Sequence, residues 1–82
     1  MDKLDLKILE AINTLSPTSF VSAIEVSDRV KMDNKELGDR LMVLKALGHV
    51  EIITKDFMSS MTLPNFIAKI RITEQGRKAL KK

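Results

Sequence analysis

The sequence has no cysteine and a single histidine, His49, among its 82 residues. Without thiols there is neither a disulfide framework nor a thiolate metal site, so a hydrophobic core must hold the fold unaided. With one imidazole, neither a nucleophilic triad nor a typical zinc constellation can be assembled from this chain. A histidine at the start of a strand, beside Gly48, reads as a surface residue. The three glycines, Gly38, Gly48 and Gly76, are too scattered for a phosphate-cradling loop. Carboxylates are present but unclustered, and they read as surface charge. These absences argue against an enzyme and leave no implied metal or cofactor.

Long apolar runs are missing as well. The longest span a few residues, and the opening MDKLDLKILE is charged and periodic, so neither a signal peptide nor a membrane span is expected. A cytoplasmic protein is the expectation. At 82 residues and 44% hydrophobic composition, one domain over residues 1–82 with one modest core is expected. There is no internal repeat, linker or low-complexity segment.

What is present is periodicity. Leu4, Ile8, Ala11, Ile12 and Leu15 recur at three- and four-residue spacing, which predicts an amphipathic first helix over DKLDLKILEAINTL. Leu6 and Leu9 fall on a second flank, either widening the core face or meeting a partner. Ser16-Pro17 ends this helix, because proline cannot continue the hydrogen-bond ladder. Ser22-Ala23-Ile24-Glu25 has capping-box spacing and predicts a second helix from about Ala23, with Ala23, Val26, Ser27 and Val30 on one face. After the polar break Lys31-Met32-Asp33-Asn34, Asp33 or Asn34 caps a third helix that buries Leu37, Leu41 and Leu44 and stops at Gly48.

The remainder alternates. Val50, Ile52 and Thr54 oppose His49, Glu51 and Ile53; further on, Phe66, Ala68, Ile70 and Ile72 oppose Ile67, Lys69 and Arg71. These are two strands of a hairpin whose loop, Lys55 to Asn65, is unusually long. Thr73 caps a last helix from Glu74 to about Lys81. The fold class is therefore α+β, mostly α: three N-terminal helices, a β-hairpin wing and a short C-terminal helix. Helices two and three match a helix-turn-helix unit, and the hairpin after them makes it winged.

Charge is unevenly spread. Residues 1–41 carry six Lys/Arg against eight Asp/Glu, whereas residues 42–82 carry eight against three. A basic C-terminal half points to an anionic partner, nucleic acid being the commonest, or simply to a solvated basic surface.

Two segments carry a family resemblance, LMVLKALGHVEII and RITEQGRKAL. From about Ser22 to Leu80 the chain resembles the winged helix-turn-helix cores of the MarR, ArsR and PadR regulators. The first segment is like their leucine-rich helix end followed by glycine and a strand. The second is like their strand-Thr-x-x-Gly-basic-helix signature. The resemblance implies a small sequence-specific regulator that binds double-stranded DNA, usually as a homodimer.

Projected at about 100° per residue, the third helix turns Lys35, Glu36, Asp39, Met42, Val43 and Ala46 outward. Lysine can donate to guanine, and a carboxylate can accept from the amino group of cytosine. The plain alternative for Lys35 with Asp39 is a surface ion pair. Arg40 sits at the edge of the buried stripe, reaching a phosphate or covering the core. Ser22 and Asn34, at helix starts, are phosphate candidates or merely caps. Lys55, Lys69 and Arg71 are the wing candidates for phosphate contacts. Gly38, inside a helix, implies close approach of another backbone, helix two or DNA. The wing loop departs from the resemblance: instead of basic residues at its tip it offers Phe57, Met58, Met61 and Leu63, an apolar set that marks a protein partner or folds back on the core. The extra terminal helices through which many such regulators dimerise are also missing from the pattern. Leu6 and Leu9, or the wing loop, would have to replace them.

Overall fold

A computed structural model describes residues 2–57 and 62–81. The elements are α1 (Lys3–Leu15), β1 (Val21–Ser22), α2 (Ala23–Val30), α3 (Asn34–Ala46), β2 (Val50–Thr54), β3 (Ile67–Ile72) and α4 (Glu74–Leu80). Local chemistry accounts for most of the boundaries. Asp2 caps α1 by accepting from the Asp5 amide at 3.0 Å, and Ser16 closes it in an extended conformation before Pro17. Asp33, rather than Asn34, caps α3, its carboxylate accepting from the Glu36 amide at 3.1 Å. Thr73 caps α4 through the Gly76 amide.

The sheet is antiparallel with order β1-β3-β2, so β3 is central. The two-residue β1 pairs Val21 with Ile70 and Ser22 with Lys69. Sequence periodicity does not reveal it, because two residues are too short to display alternation. Its presence also revises the start of α2. The helix begins at Ala23 as expected, but the Ser22 side chain makes no capping bond, so the capping box does not form.

The core lies between the helices and one face of the sheet, with Ile8, Ile12, Val26, Leu37, Leu41, Leu44, Ile70 and Ile72 all buried. α1 packs against α2, α4 and β3 at once. A helix covered on several sides needs a broad apolar face, and this is why Leu9, expected on a second flank, is 0% exposed. Leu4, expected in the stripe, is instead partly exposed near the helix start.

The hairpin corrects a further expectation. Alternation holds from Ala68 to Ile72 and then fails: Ile53 pairs with Lys69 but Thr54 pairs with Ile67, leaving an extra residue in β3. Such a bulge inverts which face the following residues present. Ile67 therefore enters the core at 0% exposure, while Phe66 is turned out at 41% with a positive φ of 62°.

Two sequence motifs prove to be halves of one contact. Gly48, at φ 81°, ends the α3 segment, and the His49 carbonyl accepts from the Thr73 amide at 3.0 Å. The Thr73 hydroxyl donates to the Gly48 carbonyl at 2.7 Å and accepts from the Gly76 amide at 3.0 Å. At Gly76 a Cβ would stand 2.2 Å from the His49 carbonyl oxygen, so only glycine permits α4 to lie this close. The glycine-to-strand junction and the Thr-x-x-Gly turn therefore clasp the base of the hairpin.

Candidate nucleic-acid interface

The front half of α3 presents Lys35, Glu36 and Asp39 to solvent, and its rear half exposes Met42, Val43 and Ala46. These are the residues that helical projection turns outward. Among the described residues no ion pair joins Lys35 to Asp39; the paired cation of α3 is Arg40 instead. Its Nη1 lies 3.0 Å from Asp2 Oδ2 and 3.1 Å from Asp5 Oδ1, and its Nε is 4.0 Å from Glu36 Oε2. The Asp5 amide first, and the Arg40 guanidinium second, hold the Asp2 carboxyl below its ordinary range. The Asp2 and Asp5 side chains in turn raise the pKa of Arg40. The expectation of a phosphate contact at Arg40 is thereby corrected: its donors face the start of α1, whose cap they reinforce. Lys35 has no ion-pair partner among the described residues and stands beside two carboxylates, Glu36 and Asp39, so the front of α3 is anionic.

Asn34 is also engaged. Its Oδ1 accepts from the Ser27 hydroxyl, tying α2 to α3 across their turn. Lys31, left-handed at φ 55°, closes α2 just before that turn.

The wing is different in sign. Lys55 and Lys69 are exposed, and among the described residues neither forms an ion pair. Lys69 sits in the central strand, in register with Ser22 on one side and Ile53 on the other. Two predicted contact residues, Ser22 and Lys69, are thus brought together. Arg71 is partly committed: it pairs with Glu51 directly across the ladder, and its guanidinium lies 5.1 Å from the centre of the Phe20 ring. No sequence signal singled out Phe20, because its role depends on β1 joining the sheet.

The wing loop divides. Phe57 is 72% exposed, whereas Leu63 is 0% exposed and belongs to the core. Leu63 and Leu9 therefore do not serve as interface residues; each is consumed by packing inside the molecule. Leu6 is half-buried, lining a shallow groove between α1 and α2 with Lys3, Lys7 and Arg29. Met58 and Met61 lie outside the described residues.

Gly38 receives its explanation from the same loop. A Cβ there would stand 3.2 Å from Asn65 Nδ2, so the close neighbour is a side chain from the wing base and not the backbone of α2. No sequence pattern links positions 38 and 65. Their contact sets the wing base against the front half of α3.

No protein-family profile matches the chain, and no curated protein matches it. Solved structures do. BpsR of Bordetella bronchiseptica, whose DNA binding is regulated by 6-hydroxynicotinic acid, aligns with a TM-score of 0.76 at 14% identity over 99% of this chain and 50% of its own. The transcriptional regulator BldR of Sulfolobus solfataricus gives 0.71 at 22% identity over 99% and 51%. A MarR variant from E. coli gives 0.75 at 18% identity over 99% and 53%. The chain thus spans about half the length of these proteins. The shared architecture is the winged helix, as the resemblance implied.

Proposed function

We propose that this chain is the DNA-binding part of a winged-helix transcriptional regulator and not an enzyme. In this reading it works in the cytoplasm as a homodimer on double-stranded DNA, with α3 in the major groove and β2 and β3 along the backbone. The supporting observation is the seating of Asn65 on Gly38, which sets the wing base beside the exposed front of α3. Glu36 and Asp39 repel phosphate, so α3 acts as a reader rather than an adhesive. Its carboxylates accept from cytosine amino groups, and Lys35 donates to guanine. Lys55 and Lys69 supply the sequence-independent attraction, with Ser22 beside Lys69 at the start of α2.

The test is salt dependence on a duplex selected from a random pool. The logarithm of affinity should fall linearly with the logarithm of salt concentration, and Lys69→Ala should lower the slope by about 0.9. Arg71→Ala should lower it less, because Glu51 already offsets that charge. Absence of duplex binding at about 50 mM salt overturns the proposal.

A second reading, a winged-helix module that binds protein and does not read DNA, is favoured by one observation. Met42, Val43 and Leu47 are all exposed along the rear of α3, behind its acidic front. Mass measurement of the complex recovered in the same selection decides between them: protein assembly with no duplex recovered supports this reading.

A further inference from the structure

An aromatic residue that is both exposed and held in a left-handed conformation calls for a reason. Phe66 is such a residue, at φ 62° and 41% exposure. A bulky side chain is rare in this region, which glycine or asparagine occupies readily. Two main-chain bonds hold it there: its amide donates to the Leu63 carbonyl, and its carbonyl accepts from the Lys55 amide, each at 2.9 Å. A turn that needed only this backbone shape would be served by glycine, and burial accounts for only part of the ring, which stays 41% exposed. Phe57, two residues beyond Lys55, is the most exposed large apolar residue among those described. The outer hairpin thus carries two outward phenyl rings, together with Ile53 at 43% exposure.

The charges around this patch select its partner. Lys55 lies across the ladder from Phe66, and Lys69 is paired with Ile53. Neither lysine has an ion-pair partner among the described residues, while Arg71 and Glu51 neutralise each other. Against the two lysines, the described residues of this stretch offer one carboxylate outside any ion pair among them, Asp56. Exposed apolar side chains, flanked by cations that have no ion-pair partner among the described residues, on an element whose base rests on α3, fit a polyanion that has an apolar interior. Stacked base pairs between two phosphate backbones provide that combination.

We propose that the outer wing is a wedge. Phe57, assisted by Phe66, enters the minor groove and opens a base step, while Lys55 and Lys69 hold the flanking phosphates, so that the bound duplex is kinked. Pyrimidine–purine steps, which unstack most easily, are the preferred sites for it. The wedge rests on the DNA-binding reading given above and adds to it a deformation that α3 alone does not produce.

The experiment uses the pool-selected duplex, labelled with a dye at each end, and measures energy transfer on adding protein. The intact chain should shorten the end-to-end distance, in keeping with a kink of roughly 20–90°. Phe57→Ser, which alters a residue outside the core, should leave the duplex straight and weaken binding about tenfold, as loss of one stacked aromatic does. Phe66→Gly, which suits the left-handed backbone, should keep the fold by circular dichroism and reduce the bend. A duplex that stays straight with the intact chain, or bends equally with Phe57→Ser, overturns the wedge while leaving DNA binding intact. Dissociation of protomers by Phe57→Ser, with bending unchanged per bound chain, overturns it in favour of a protein contact. A chain that binds no duplex overturns the underlying reading instead.

Discussion

The two ends of the hairpin differ in how completely their atoms are used. At the base, the Thr73 hydroxyl both donates and accepts, the His49 carbonyl receives an amide, and the space beside Gly76 is too small for a methyl group. Toward the outer end, Lys55 and Lys69 lack ion-pair partners among the described residues, and Phe57 and Phe66 are exposed. A residue whose bonding capacity is saturated inside the chain supports the fold. One left unsaturated, on a wing that the fold holds in place, is available to a partner.

The sharpest way to break this contrast is at the base. Gly76→Ala places a methyl group 2.2 Å from a backbone oxygen and 2.9 Å from Ile72 Cγ1, neither of which yields easily. Destabilisation of about 3 kcal/mol or more is expected. For a domain of this size that lowers the melting temperature by roughly 12 °C or more, measurable by circular dichroism. A melting temperature within a few degrees of the parent chain's would show that α4 is free to move away.

The wing loop contains the same contrast in miniature. Leu63→Ala, in the core, should destabilise by about 2–5 kcal/mol, whereas Phe57→Ala should change stability by no more than about 0.5 kcal/mol. Denaturant titration of both variants tests the division; equal effects would erase it.

The link between wing base and α3 can be sharpened with a smaller effect. Gly38→Ala gains up to about 1 kcal/mol in helix propensity, but it presses on the Asn65 side chain at 3.2 Å. In an Asn65→Ala background that obstruction is absent, and Gly38→Ala should then stabilise by about 0.5–1 kcal/mol. If the gain is the same with Asn65 present, the contact does not constrain the helix.

The smallest effect belongs to the exposed cluster at the start of α1. The Asp2 carboxyl is held below its ordinary value of 3.8 by the Asp5 amide and Arg40. A depressed carboxylate contributes stability that is present above the unfolded value and is lost as pH falls through the folded one. Thermal melts should therefore show a decline below about pH 4 that is shallower in Asp2→Asn. An unchanged profile would mean that Arg40 has no energetic stake in this contact.

Much of the architecture was legible because it is written in short-range chemistry. Pro17 and Gly48 punctuate helices through their own backbone restrictions, and Asp33 and Thr73 cap the helices that follow them. The spacing of Leu37, Leu41 and Leu44 marks a buried face at sight. The outward set on α3 followed from the same spacing. The site was read less well, since periodicity tells which way a side chain points but not what it meets. Arg40 pointed outward to the edge of the stripe and met Asp2, 38 positions away. Of the two roles open to Leu9, the core prevails because three neighbours surround α1, whereas Phe66 faces the other way because a single extra residue inverts the face of a strand.

The sequence by itself determined the order of helices and strands, their stops and caps, and the concentration of positive charge in the second half. Each of these depends on residues within a few positions of one another. Only the tertiary structure decided that Val21 and Ser22 join the sheet, that Asn65 fills the space over Gly38, that Arg40 turns to α1, and that two phenyl rings stand out from the wing. Those outcomes depend on which distant residues the folded chain brings within a few ångströms, and no local pattern records that distance.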